Sequence, residues 1–176
     1  EESLNRKGVF VPRFQVKDVV QRLEHIFAKV SPKIVVINGD LKHEFGRISE
    51  QEWRDVVAVV DCIKKHAEKI VIIKGNHDTI LKPIAEKRLI ELVPEFRAGD
   101  VVIIHGDKVQ EFEKSIKTII IGHEHPAIAL REKGRVEKFK CFLVGTYKRK
   151  NLVVQPSFNL VVEGTDVLKE QVLSPF

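Results

Sequence analysis

The stretch KIVIIKGNHD, residues 69–78, sets the reading of the whole chain. Its apolar, β-branched run at 70–73 halts at Lys74-Gly75 and hands Asn76, His77 and Asp78 to a loop. The same pattern recurs three times. The run at 34–37 ends in Asn38-Gly39-Asp40, that at 101–104 in His105-Gly106-Asp107, and that at 119–121 in Gly122-His123-Glu124-His125. Short β-branched runs of this kind predict central strands covered on both faces, and side chains placed where such strands end can converge on one rim of a sheet.

Around these strands the rest of the chain falls into place. Val16, Val19, Val20, Leu23, Ile26, Phe27 and Val30 keep the three-and-four spacing of an amphipathic helix that stops before Ser31-Pro32. A strand over 33–37 and a loop over 38–47 follow. Ser49-Glu50-Gln51-Glu52 is a capping box, and Trp53, Val56, Val57, Val60 and Ile63 give a second helix its apolar stripe, ending near His66. Pro83 suits the first turn of a short helix over 83–89. Residues 91–96 and 100–104 read as strands around the Ala98-Gly99 turn, and 111–117 as a short helix. Beyond His125 the texture turns to strands, at 127–131, 135–143, 151–155 and 160–163, with Lys133-Gly134 and Gly164 as turns. Alternating βα units followed by a β-rich half predict an α/β chain of two packed sheets with helices outside, in one domain spanning 1–176.

Composition narrows the function classes. Hydrophobic residues at 43% and charged residues at 31% describe a soluble globular chain whose length suffices for a core without disulfides. No apolar run approaches a membrane span, so no membrane partner is expected. Cys62 and Cys141 lie far apart without CxxC spacing and read as free thiols in a reducing cytoplasm. The net charge of +5 tilts the chain toward a polyanionic partner such as nucleic acid. Abundant Lys and Glu are compatible with a thermophile's charged surface. Methionine is absent even at position 1, which points to a start inside a longer encoded protein.

The strand ends carry the chemistry. Asp40, Asn76, His105, His123 and His125 offer a carboxylate, an amide oxygen and three imidazoles, a set suited to two divalent metal ions, manganese foremost, or iron, zinc or nickel. One carboxylate can bridge two cations whereas an imidazole binds one, so two metals account for five converging ligands better than one does. His123 and His125 are two apart, which in an extended segment puts them on one face. Two cations about 3.5 to 4 Å apart can hold a bridging hydroxide and clamp phosphate oxygens through an in-line displacement. His77, set between Asn76 and Asp78, reads as a general acid for the leaving alkoxide, with Asp78 or another carboxylate orienting its ring.

In this order, Gly39-Asp40, Gly75-Asn76-His77-Asp78, His105 and Gly122-His123-Glu124-His125 resemble the calcineurin-like metallophosphoesterase superfamily, whose pattern is DxH, GDxx, GNH[DE], H and GHxH. Val144-Gly145-Thr146, Pro156-Ser157-Phe158-Asn159 and Glu163-Gly164-Thr165 also resemble its small archaeal branch, related to the double-strand-break-repair nucleases. The resemblance implies a four-layer α/β/β/α sandwich of two mixed sheets flanked by helices. It implies that Asp40 bridges both metals, that Asn76, His105 and His123 bind one and His125 the other, and that His77 serves the leaving group. His43 matches a histidine which that branch keeps near its phosphate site. The expected activity is hydrolysis of a phosphoester substrate, foremost a phosphodiester in nucleic acid or a nucleotide. The GDxxDRG block of serine/threonine phosphatases is absent.

One block departs from the pattern: no Asp-x-His occurs in the chain. The expectation is that this block and its strand precede Glu1. The other reading is a non-catalytic metal-binding or scaffold protein with an incomplete first metal site. Outside the motifs, His25 and His66 read as ordinary helix residues. The cations at Lys133, Arg135, Lys138, Lys140 and 148–150 could line a phosphate-backbone groove, although such a run is more often a solvated edge.

Overall fold

The computed structural model describes residues 8, 14–41, 49–78 and 82–176. The N-terminal half alternates helix and strand: α1 (Gln15–Phe27), β1 (Ile34–Asn38), α2 (Glu50–Lys64), β2 (Lys69–Ile73), α3 (Lys82–Lys87) and β3 (Glu91–Val93). The strands pair in parallel in the order β1-β2-β3, with Ile34 opposite Lys69 and Val71 opposite Glu91. Ser49 caps α2 as its sequence predicts, its hydroxyl accepting the backbone N–H of Glu52 at 3.1 Å. Val56, Val60 and Ile63 of α2 then lie over Ile70 and Ile72, with Leu23 and Phe27 of α1 against them. Val71 and Ile73, also fully buried, occupy the opposite face of β2.

A second sheet has the order β4-β5-β6-β10-β9, from β4 (Glu95–Ala98), β5 (Val101–Ile104), β6 (Thr118–Ile121), β10 (Lys150–Val154) and β9 (Leu143–Tyr147). β5, β6 and β10 run parallel, and antiparallel β4 and β9 close the two edges. Val102, Ile104, Ile119 and Ile121 form its core with Ile116, and Phe112 and Phe176 pack against it. A small third sheet sets β7 (Pro126–Glu132) between β8 (Arg135–Lys140) and the short β11 (Thr165–Asp166). The mixed α/β class with two principal sheets and helices is as expected.

Four local expectations differ from what forms. The strand expected over 91–96 is two strands in different sheets: Pro94 has no N–H for a ladder, and the chain leaves the first sheet at Val93 to join the second at Glu95. The segment 135–143 likewise divides between sheets: the β7–β8 register runs out with the Cys141 N–H on the Pro126 carbonyl, and β9 begins at Leu143 in the second sheet. No helix forms at 111–117. Lys150 takes the carbonyls of Glu113 and Ile116 with its ammonium, and Lys117 donates to Asp100, so backbone groups of this segment are spent on other elements. At 160–163 the side-chain oxygen of Asn159 accepts the N–H groups of Val161 (2.7 Å) and Val162 (3.2 Å), which diverts them from a ladder.

Cys62 is buried and Cys141 half-buried, both as free thiols. Burial, then the neighbouring Glu24, pushes the Cys62 thiol up. Glu24 also meets His66 at 2.8 Å, so His66 ties α1 to the end of α2. No helix among the described residues is long and apolar enough to cross a membrane.

Candidate metal centre

The strand ends do meet. β1 turns through Gly39, at φ 77°, into Asp40, at φ 48°. Both lie in the left-handed region, which glycine enters freely and aspartate more readily than most residues. A Cβ on Gly39 would strike Nδ1 of His105, and one on Gly75 would strike Oδ1 and the backbone nitrogen of Asp40. The site closes this tightly only because both loops lack a side chain there.

At the centre stands Nε2 of His105, buried at the end of β5. It lies 3.0 Å from Oδ1 of Asn76, 3.1 Å from Nδ1 of His123 and 3.3 Å from Oδ2 of Asp40. The two imidazoles meet edge-on, ring centroids 5.0 Å apart. An imidazole nitrogen carries at most one hydrogen, so it can satisfy only one of these neighbours. A divalent cation among them would engage all the lone pairs at once. Asp40, His105 and His123 each offer a ligand atom, all within 4.8 Å of one another, and oxygen with imidazole nitrogen suits such a cation.

Burial pushes the Asp40 carboxyl up, but the hydrogen bond and charge of His105, with the His77 backbone N–H, outweigh it and leave the group below the usual carboxylate range. His105 mirrors this: burial lowers it, and Asp40 lifts it above the ordinary histidine value. Burial holds His123 and His125 below that value, and the charge of His105 adds to the effect at His123. The shift favours the neutral form of both, the form a metal ligand requires.

The other expected site residues take distinct places. His125, at φ 50°, stands outside the 4.8 Å group but within electrostatic reach of Asp40, His123 and His105. The backbone N–H of His77 donates to Oδ1 of Asp40 at 3.1 Å. Asp78 is fully buried, and its carboxylate accepts the Gly75 N–H at 3.0 Å while its own N–H returns to the Gly75 carbonyl, which closes the loop. His43 and the rest of its loop lie outside the described residues.

A model of the calcineurin-like phosphoesterase family matches residues 13–114, more than half of the chain. The chain belongs to the calcineurin-like phosphoesterase family. As a calcineurin-like phosphoesterase it is metal-dependent, which agrees with the donor set at this rim. The matched segment includes Asp40, Asn76 and His105 and stops before His123. A comparison with curated proteins finds no match. Among solved structures, the nuclease MPE of Pseudomonas putida overlays with a TM-score of 0.67 at 22% identity, over 92% of this chain and 74% of that one. A single and a double mutant of Vps29 from Entamoeba histolytica overlay with TM-scores of 0.43 and 0.40, at 13% and 14% identity, over 88% of this chain and 76% and 72% of theirs.

Two residues of this calcineurin-like phosphoesterase support the rim without having stood out in sequence. Glu124 is buried between His123 and His125, and one of its oxygens accepts the N–H groups of Leu173 and Ser174. Asn38 at the end of β1 donates its amide to Gln155 at 3.0 Å, joining the two sheets, and its carbonyl lies 3.4 Å from Nδ1 of His105. The segment is a turn and not extended as expected, with 123–124 in the turn and His125 at φ 50°, so the two-apart spacing does not set a shared face. An acidic residue between two ligand-type histidines was the available signal for Glu124.

Proposed function

We propose that the chain is a dinuclear metal-dependent phosphodiesterase or nuclease acting on nucleic acid or a nucleotide. The convergence of Asp40, Asn76 and His123 on Nε2 of His105 carries this reading. Asp40, Asn76, His105 and His123 would hold one cation, and Asp40 with His125 the other. When bound, a cation pair supplies an acidified water and positive charge facing the phosphoryl oxygens. The reading assigns the remaining ligands of the second cation to an Asp-x-His block ahead of Glu1. Among the described residues β1 is an edge of its sheet, so its outer side is available to a strand carrying that block. Manganese is the foremost candidate, with iron, zinc and nickel suited to the same donors.

The chain's own residues divide the remaining work. His77 gives its proton to the leaving alkoxide, and its backbone bond to Asp40 keeps it beside the reacting phosphate. Asp78 acts by closing the 75–78 loop that fixes where His77 stands. His43 is assigned to a phosphate oxygen. The preference for nucleic acid draws on the net charge of +5 and on the nuclease among the structures that share the fold. The likeness of Pro156-Ser157-Phe158-Asn159 to the archaeal repair-nuclease branch points the same way.

Turnover of bis(p-nitrophenyl) phosphate by the full chain tests this. Hydrolysis with Mn²⁺ that chelator abolishes is the expected result. No turnover with manganese, iron, zinc or nickel would favour a non-catalytic metal-binding protein, the second reading, which the missing Asp-x-His block supports.

A further inference from the structure

Of the C-terminal cations that could line a groove, three are engaged elsewhere, in keeping with the solvated edge that such a run more often forms. Lys138 is engaged by Glu170 at 2.6 Å, Lys148 by Glu111 at 3.5 Å, and Lys150 by two backbone carbonyls. Arg22 on α1 and Lys140 at the end of β8 have no carboxylate partner among the described residues, as is also true of Arg135 and Arg149, but Arg22 and Lys140 meet at one loop. Lys140 stands opposite Ala127 in the β7–β8 ladder, two residues past His125. Its ammonium donates to the backbone oxygen of Ser157 (3.1 Å), to the Ser157 hydroxyl (2.9 Å) and to the carbonyl of Asn159. All three of its hydrogens are thereby committed to the segment on either side of Phe158. Phe158 keeps 39% of its surface exposed, and the guanidinium of Arg22 lies 4.7 Å from its ring centroid.

These residues form a platform. Lys140 fixes the loop that presents Phe158, and Asn159 stiffens it further through Val161 and Val162. Arg22 is exposed, with donors in a planar fork that matches a phosphate. Burial and then the charge of Arg22 push the Lys140 ammonium below its usual value, and the charge of Lys140 reaches His125. Among the described residues, positive charge without a carboxylate partner thus lies within electrostatic reach of His125, with Arg22 over one face of the part-exposed Phe158 ring.

We propose that Arg22 and Phe158, held in place by Lys140, bind a nucleotide neighbouring the scissile phosphodiester of a single strand, Arg22 taking its phosphate and Phe158 stacking its base. This rests on the phosphodiesterase reading above. A single strand is required because a paired, stacked base cannot lay its face on the ring.

Fluorescence anisotropy of a labelled phosphorothioate oligodeoxythymidine, with its oligouridine counterpart, tests the platform in Mn²⁺ buffer at two salt concentrations. Phe158→Leu should weaken binding roughly tenfold with an unchanged salt slope, as expected for a lost stack. Arg22→Gln should weaken it and reduce the salt slope by about one, and Arg22→Lys should restore the slope. Binding by either sugar type supports the platform. It is overturned if the wild-type chain binds neither oligonucleotide, if both variants bind like wild type, or if Arg22→Gln leaves the salt slope unchanged. Wild-type turnover of bis(p-nitrophenyl) phosphate separates the two readings: turnover with unaltered binding in the variants removes the platform alone, and no turnover removes the phosphodiesterase assignment.

Discussion

Glu124 and Ser174, fifty residues apart, are joined by a 2.7 Å hydrogen bond from the Ser174 N–H to the buried carboxylate. The same oxygen accepts from Leu173 at 2.6 Å, and the Ser174 hydroxyl donates to the carbonyl of Gly106 at 3.0 Å. The C-terminal segment is therefore fastened to both histidine loops, the one after β5 and the one after β6. A carboxylate accepting two N–H groups out of water makes stronger bonds than a neutral amide can. Glu124→Gln should cost about 1–2 kcal/mol, and Ser174→Ala about 1 kcal/mol. Chemical denaturation of the two single variants and the double variant should show non-additive losses, because they share one network. Purely additive losses would mean that the two groups act separately.

The close approach of Gly75 to Asp40 gives a sharper test of the rim. Gly75→Ala places a methyl against the Asp40 carboxylate and its backbone, neither of which is a flexible tip, so the loops must separate. Overpacking of this kind costs about 1–3 kcal/mol. Metal retention on dialysis should fall with it. Gly145→Ala, whose added methyl meets nothing within 4 Å, should leave stability and metal retention near wild type. Equal behaviour of the two variants would show that the Gly75–Asp40 contact does not shape the site.

Much of this arrangement is legible in the sequence where local chemistry decides it. The four β-branched runs form strands because nothing competes with their pairing, and Ser49 caps α2 because cap and helix are neighbours in the chain. The ligand-type side chains gather because each follows directly from a strand end. Where the structure departs from the pattern, other groups compete for the backbone. Residues 111–117 give groups to the distant Lys150 and Asp100, whereas at 160–163 the competitor is local, Asn159 capturing the N–H groups of a segment with strand-like composition. Glu124 went unnoticed because its partners lie some fifty residues on. Pro94 is a visible signal of the break after β3, since a proline between two short apolar runs marks a change of sheet.

Opposing titrations at the rim predict the acid response of the chelator-treated protein. Asp40 is depressed when folded, so its contribution is present above the ordinary value of 3.8 and lost as pH falls through the folded one. His105 is raised, so its contribution is present below 6.5 and lost as pH climbs through its folded value. The pair is thus fully effective between those two ordinary values. His123 and His125 are depressed, and protonating them in a buried setting costs stability as pH drops below 6.5. Melting temperature should decline from about pH 7 to about pH 5, and His105→Asn should decline more steeply, having lost the one histidine that gains from protonation. Parallel profiles for wild type and variant would contradict the pairing of His105 with Asp40.

Asp40 and His77 share a hydrogen bond yet are assigned different tasks, so their variants should part company. The 3.1 Å contact is made by the His77 backbone, which His77→Ala preserves. That variant should keep its metal while losing roughly 10²–10⁴-fold in turnover, the range expected when a general acid is removed. Asp40→Asn replaces the only carboxylate among the three clustered ligand groups. Its loss should abolish turnover and lower bound metal together, since a neutral amide neither bridges nor balances two cations. Metal content by elemental analysis, with turnover of bis(p-nitrophenyl) phosphate on the same samples, separates the two. Loss of metal from His77→Ala would make His77 a ligand instead of a proton donor, and full activity in either variant would break the assignment of roles at this rim.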